Sequence, residues 1–385
     1  KLKSKKIKQI KKYTTKFSPH EIAPLIRGLL SKNKDQKFIV NYRINQNLKY
    51  FINGKDVKSY SSKGTATPDH VIRVKPFPLI IKPKKNSTVE EFNITAKKAF
   101  ENYRKKYINY FNVNKKKVRE KKIMLDTSPR VVLVQNVGMF SVGKDLNSAR
   151  IAGDLTETNA RVISSVEETS AYKFIPEKDL FDVEYWSLEQ AKIKKTKKLL
   201  EGNVVVITGS TGTIGFETYK MFKSYGAEVV LLDFNREKIK ELQSKINDTC
   251  IYCDVTNKVS IKKAFDQICK KFGGLDILRH TLNEGEREQG LTFHKMTNSY
   301  DFGPILNKIT YPVLPKDTEK DLYKRLCVVA PPFVVSCLRL LKNMSFEDID
   351  NCVSEKPRLL EREYKKDPIP LTNEELGELC NACYW

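Results

Sequence analysis

Gly209, Gly212 and Gly215 stand three residues apart, directly behind the β-branched run at 204–207. Glycines at that spacing suit the cradling of a pyrophosphate. Gly209 permits a tight turn, Gly212 lets the backbone approach the phosphates, and Gly215 lets a following helix pack close to the strand. The helix N-terminus then offers free N–H groups and a positive dipole end. The candidate ligand-binding residues are Thr208, Gly209, Ser210, Thr211, Gly212, Thr213, Ile214 and Gly215. Asp233 ends the next apolar run, 18 residues beyond Gly215, close to where a carboxylate meets the ribose hydroxyls of NAD. Arg236 follows, which leaves NADP open. Asp254 and Val255, after a third short run at 249–253, complete the set.

These residues need a frame. The runs at 204–207, 228–233, 249–253 and 275–278 predict strands, with helices between them, the first over 216–224. Alternation of strand and helix implies a parallel, doubly wound α/β sheet.

At these positions the chain resembles the short-chain dehydrogenases. The matching pieces are Thr208-Gly209-x-x-Gly212-x-x-Gly215, Asp233, Asp254-Val255 and the Gly-Gly-Leu-Asp-Ile-Leu stretch at 273–278. Further upstream, a polar cluster of Asp69, His70, Arg73 and Lys75 surrounds a turn at Pro68. As bare chemistry it is an anion contact or a salt-bridged turn. The stretches 64–75, 129–144 and 179–190, followed at once by a dehydrogenase start, resemble the bifunctional class II aldolase/short-chain dehydrogenases of the rhamnulose-phosphate aldolase/alcohol dehydrogenase type. That resemblance covers about 20–278. It implies a class II aldolase (adducin-like) segment ahead of an NAD-dependent oxidoreductase, in deoxy-sugar or lactaldehyde metabolism, with a small-molecule substrate and a homo-oligomeric state.

The chain also departs from both patterns. Its four histidines, His20, His70, His280 and His294, show no His-x-His pair, so no metal ligands are assigned and the aldolase segment is expected to be incomplete. At the strand-turn over 134–143, where the aldolase fold carries a His-Gly turn, this chain has Val137-Gly138. The dehydrogenase chemistry uses a Tyr and a Lys four residues on, the Lys lowering the phenol's pKa for proton transfer. No such pair follows residue 278, and Tyr219/Lys223, on the helix after the glycine turn, is a chance match. The catalytic residues are therefore unknown. An inactive nucleotide-binding remnant or scaffold stands as the alternative to an oxidoreductase.

Between these segments, helices are expected over 1–35, 88–111 and 149–168, and strands over 38–44, 50–52, 130–134 and 139–142. The aromatic-rich stretch at 175–199 is a packed arm. The resulting division is an aldolase-like segment (1–175), an arm (176–200), half a Rossmann unit (201–278) and a helical tail (279–385). The tail matches no recognised pattern, and short helices are expected near 346–353, 357–366 and 373–382. Residues 1–280 carry a net charge of +27 and 281–385 one of −3, which points to a junction near 279.

The overall charge of +24 invites a nucleic-acid partner. The basic runs lack a binding motif, however, and suit solvated helix faces. No apolar run reaches the ~18 residues of a membrane span, and the Lys-rich N-terminus has no apolar core of a secretory leader. Eight cysteines without framework spacing imply free thiols and a cytoplasmic location. Cys250/Cys253 and Cys380/Cys383 are better taken as small buried hydrophobes than as zinc ligands.

Overall fold

The computed structural model describes residues 6–31, 36–193, 196–279, 288–294 and 305–312, together with 325, 328–330, 333 and 337. It divides into two compact units: residues 1–207 with 223–279, and residues 208–222 with 280–385.

In the first unit, α1 (Pro19–Leu30) begins at a capping box. The Ser18 backbone N–H donates to Glu21 Oε2 at 2.7 Å. Residues 6–18 are not helical as expected; they run irregularly, with a single bridge from Gln9 to Gly54. Next come β1 (Ile39–Arg43) and α2 (Gln46–Ile52). The strand expected over 50–52 is thus the end of a helix. Leu48, Phe51 and Ile52 are buried at helical spacing, and the Asn45 side chain caps the start by accepting from Leu48 N–H at 2.9 Å. Two short helices follow, α3 (Val57–Tyr60) and α4 (Val71–Val74), then β2 (Leu79–Ile81).

The long helix α5 (Val89–Lys115) extends the predicted one. Thr88 and Glu91 form its capping box, and Phe92, Ala96, Phe100, Tyr103, Tyr107 and Tyr110 bury one stripe. The hairpin of β3 (Val131–Val134) and β4 (Gly138–Gly143) turns through Asn136 at φ 61°. After it comes α6 (Leu146–Glu167). The first sheet has the order β1-β4-β3-β2, antiparallel except for the parallel β2–β3 pair. Alternation decides its two faces. Val132, Val134, Phe140 and Val142 join the α5 stripe, whereas Val131, Leu133 and Met139 join Ala152, Ala160 and Ile163 of α6.

The arm forms α7 (Glu177–Glu184) and α8 (Ser187–Ile193). It is anchored from inside. Fully buried Glu184 accepts a hydrogen bond from Tyr107 Oη at 2.8 Å, Tyr107 and Tyr185 hydroxyls meet at 2.9 Å, and the Lys75 ammonium lies 3.6 Å over the Tyr107 ring. Burial pushes the Glu184 carboxyl above the usual range, against the opposing pull of Lys75. A carboxyl raised on folding contributes most below its unfolded value, and that contribution fades as pH rises through the folded one. Glu184→Gln is therefore expected to gain stability relative to the wild type as pH rises above the unfolded carboxylate value, checked by thermal melts from acid to neutral pH.

The second sheet comprises β5 (Val204–Thr208), β6 (Glu228–Asp233), β7 (Thr249–Tyr252) and β8 (Ile277–Arg279), in the order β7-β6-β5-β8. Along the chain its strands alternate with α9 (Thr213–Ser224), α10 (Arg236–Lys245) and α11 (Lys258–Phe272). The β5–β8 and β6–β7 pairs are parallel, as expected of a doubly wound sheet. This sheet shares a core with the first segment. Ile39 of β1 and Ala149 of α6 pack with Val204, Val206, Val230, Leu232, Ile268 and Phe272.

An ion-pair network closes the same boundary. Arg27 donates to Asp276 Oδ2 at 2.5 Å, to Gly202 O at 2.8 Å and to Phe38 O at 2.6 Å. Lys37 reaches Asp276 Oδ1 at 3.1 Å, and Val204 N–H donates to Asp276 Oδ2 at 2.8 Å.

In the second unit, β9 (Glu288–His294) and β10 (Ile305–Pro312) pair antiparallel. The sequence reading did not foresee this pair in a tail expected to be helical. Residues 325, 328–330, 333 and 337 are helical. The helices expected near 346–353, 357–366 and 373–382 lie outside the described residues. Among the described residues, no helix is long and apolar enough to cross a membrane.

Candidate dinucleotide site

Strand β5 is buried along its whole length and leads straight into the glycine turn. Gly209 takes φ 61°, a left-handed conformation that costs a side-chain-bearing residue roughly 1–2 kcal/mol. Gly212 N–H donates to Gly209 O at 3.2 Å, and Phe216 N–H to Gly212 O at 3.0 Å, so the turn passes without a break into α9. A Cβ on Gly215 would lie 2.4 Å from Gly209 O and 2.7 Å from Ser210 Cα. The first turn of the helix therefore packs against the glycine turn at a distance only glycine allows. Thr213 and Ile214 open that helix. Thr208 is buried, whereas Gly209, Gly212 and Thr213 are exposed and Thr211 is half-buried. Ser210 is fully buried, and its Oγ has no hydrogen-bond partner. This orphaned hydroxyl and the close-packed glycines ahead of the α9 N-terminus fit a phosphate-bearing ligand.

Asp233 ends β6, the neighbour of β5 in the sheet, and is 5% exposed. It accepts the Asn235 N–H at 3.0 Å, and the Asn235 side chain caps α10 through Lys238 N–H at 3.0 Å. Asp233 O in turn receives Cys253 N–H at 2.8 Å, which ties the end of β6 to the start of the Asp254 loop. The Asp254 carboxylate is committed to that loop. It accepts Thr256 N–H at 2.9 Å and Thr256 Oγ1–H at 2.7 Å, and the Thr256 hydroxyl bond holds it below the usual carboxylate range. Val255 packs against the shared core.

The sequence places Ser210 among the candidates but gives no sign that its hydroxyl is buried without a hydrogen-bond partner. It does not point to Tyr252, whose ring centre lies 3.7 Å from the Arg236 guanidinium. An aromatic at a strand end has no motif to mark it.

The upstream polar cluster does not converge. His70 Nδ1 lies 3.0 Å from Asn159 Oδ1, a Thr67 hydroxyl bond keeps Asp69 below its usual range, and Lys75 is turned inward, 4% exposed. Its φ of 64° delivers the side chain to the Asp126 carbonyl and the Tyr107 ring. Burial lowers its pKa to about 8. The Tyr219/Lys223 spacing serves ordinary packing. Tyr219 stacks on Phe216 at 5.4 Å, and Lys223 pairs with Asp248 at 2.7 Å. Cys250 and Cys253 are both buried, and burial raises both thiols.

Comparison with known proteins places these segments. The profile for the second domain of class II aldolase matches residues 18–193, and that for short chain dehydrogenase matches 203–299. The chain joins a class II aldolase segment to a short-chain dehydrogenase segment, in the order that the motifs implied. An uncharacterized oxidoreductase, YuxG, of Bacillus subtilis is 28% identical over 67% of this chain and 38% of its own length. Secoisolariciresinol dehydrogenase of Forsythia intermedia is 40% identical over 20% of this chain and 30% of its own.

The tail, in which no relationship was recognised, also has a match. A formyl transferase profile covers 268–338, from within α11 through the β9–β10 pair, and overlaps the dehydrogenase match. The bifunctional polymyxin resistance protein ArnA of Wigglesworthia glossinidia brevipalpis is 30% identical over 29% of this chain and 17% of its own length. The chain spans less than two-fifths of each of these relatives.

Proposed function

We propose that the chain binds NAD through its short-chain dehydrogenase segment and acts as an oxidoreductase on a small carbonyl or alcohol of deoxy-sugar or lactaldehyde metabolism, in the cytoplasm and as a homo-oligomer. The observation that carries the cofactor assignment is the close approach at Gly215, where the helix start and the glycine turn leave no room for a Cβ. The turn and the N-terminus of α9 would hold the pyrophosphate. Asp233 would accept hydrogen bonds from the adenosine ribose, and its negative charge favours NAD over a 2′-phosphorylated cofactor. When bound, the nicotinamide supplies a hydride acceptor or donor. Asp254 orders the loop ahead of α11 and Val255 anchors it.

The test is calorimetric titration of the full chain with NADH, with micromolar binding expected, about −8 kcal/mol. Absence of binding by a folded sample would overturn the reading.

A second reading, a nucleotide-binding scaffold without turnover, is favoured by one sequence observation. No Tyr-x-x-x-Lys follows residue 278, and the formyl transferase match already begins at 268. NADH that binds but is not oxidised by any of a panel of short hydroxyaldehydes would select it.

A further inference from the structure

The end of β6 carries opposite charges side by side. Asp233 is buried and hydrogen-bonded to the Asn235 N–H, whereas Arg236, two residues after Phe234, stands exposed as the first residue of α10. A nearby arginine is the kind of group that accommodates a 2′-phosphate. Here its guanidinium lies 3.7 Å from the centre of the Tyr252 ring, on β7. β7 is the next strand over from β6, with Asp233 and Tyr252 directly paired across it. The strand register thus fixes the ring beside the start of α10.

We propose that Tyr252 is a positioning residue for cofactor choice. By stacking on Arg236 it holds that guanidinium, at the β6 end, away from the 2′-position, so the buried Asp233 decides and the unphosphorylated dinucleotide is taken. The inference rests on the nicotinamide-binding reading above and adds to it the device that sets the preference. An exposed cation–π contact contributes about 0.5–1 kcal/mol, equivalent to roughly a two- to fivefold change in affinity.

The experiment compares NADH and NADPH binding to the full chain by calorimetry, for wild type, Tyr252→Ala, Tyr252→Phe and Tyr252→Ala combined with Arg236→Ala. Tyr252→Ala is expected to tighten NADPH about two- to fivefold and leave NADH unchanged. Tyr252→Phe, which keeps the ring, should bind both like the wild type, and adding Arg236→Ala should cancel the gain. If Tyr252→Ala weakens NADPH or leaves it unchanged while NADH still binds, the latch is wrong and the cofactor reading stands. If the wild type binds neither dinucleotide, the cofactor reading falls, and the latch with it. A loss of both affinities in Tyr252→Ala alone, against an intact Tyr252→Phe, would make the ring part of the cofactor's own platform and overturn the latch.

Discussion

Gly215→Ala is expected to weaken NADH at least about 100-fold, equivalent to ~2.7 kcal/mol. The added methyl would meet Gly209 O at 2.4 Å, Ser210 Cα at 2.7 Å and Gly209 C at 3.0 Å. All three are backbone atoms and cannot swing aside as a side chain would. Either α9 moves away from the turn or the turn opens, and in both cases the N–H groups lose their common aim. Gly212→Ala separates packing from access: its Cβ would meet only Gly209 O, at 3.3 Å, so the fold should be kept, and a loss of NADH there would report the methyl group standing against the pyrophosphate. Circular dichroism melts on both variants separate a lost site from a lost fold. Equal NADH affinity in Gly215→Ala and wild type would show that the glycine spacing serves packing alone.

The second large effect is on stability. Asp276→Asn is expected to cost about 2–4 kcal/mol, somewhat below the 3–5 kcal/mol of a fully buried broken pair, because the carboxylate keeps 17% exposure. The substitution leaves Arg27, 9% exposed, without its counter-charge and weakens the hydrogen bond that holds Val204 N–H. Burial by itself would raise the Asp276 carboxyl, but Arg27 and Lys37 overcome it and the group titrates below the usual carboxylate value. A carboxyl lowered on folding contributes fully above its unfolded value, near pH 4, and that contribution is lost as pH falls through the folded value. Wild type should therefore lose stability in acid more steeply than Asp276→Asn, and the gap between the two urea curves should close as pH falls through the folded value. A constant gap between them at every pH would mean that packing, not charge, makes the difference.

Local periodicity carried much of this structure. The continuous apolar run of β3, the aromatic stripe of α5 and the strand–glycine–helix order of the second sheet are all properties of short windows, and all formed as expected. The elements that departed are those decided by partners distant in sequence. Residues 50–52 have strand-like composition, yet Asn45 caps a helix through them and Phe51 and Ile52 bury at helical spacing. Lys75 belongs by composition to a solvent-facing anion cluster, and only the Tyr107 ring and the Asp126 carbonyl explain why it points inward. At the candidate site the glycine turn was legible because close backbone packing admits few residue types. The ring contact of Tyr252 and the burial of the Ser210 side chain were not, since they exist only once two strands or a turn are assembled. The β9–β10 pair lay in a stretch whose composition gave no alternation strong enough to separate it from loop.

The Arg27–Asp276 pair also bears on how the chain is made. Its partners are 249 residues apart in sequence, and the core shared by β1, α6 and the second sheet spans nearly as much chain. At about 5–20 residues per second of synthesis, α1 waits roughly 10–50 s before its counter-charge is polymerised. Through that interval Arg27 lacks its counter-charge, and the Ile39 face that packs on the second sheet is uncovered. Slowed elongation through 203–276 would prolong the interval in which that surface is open to aggregation.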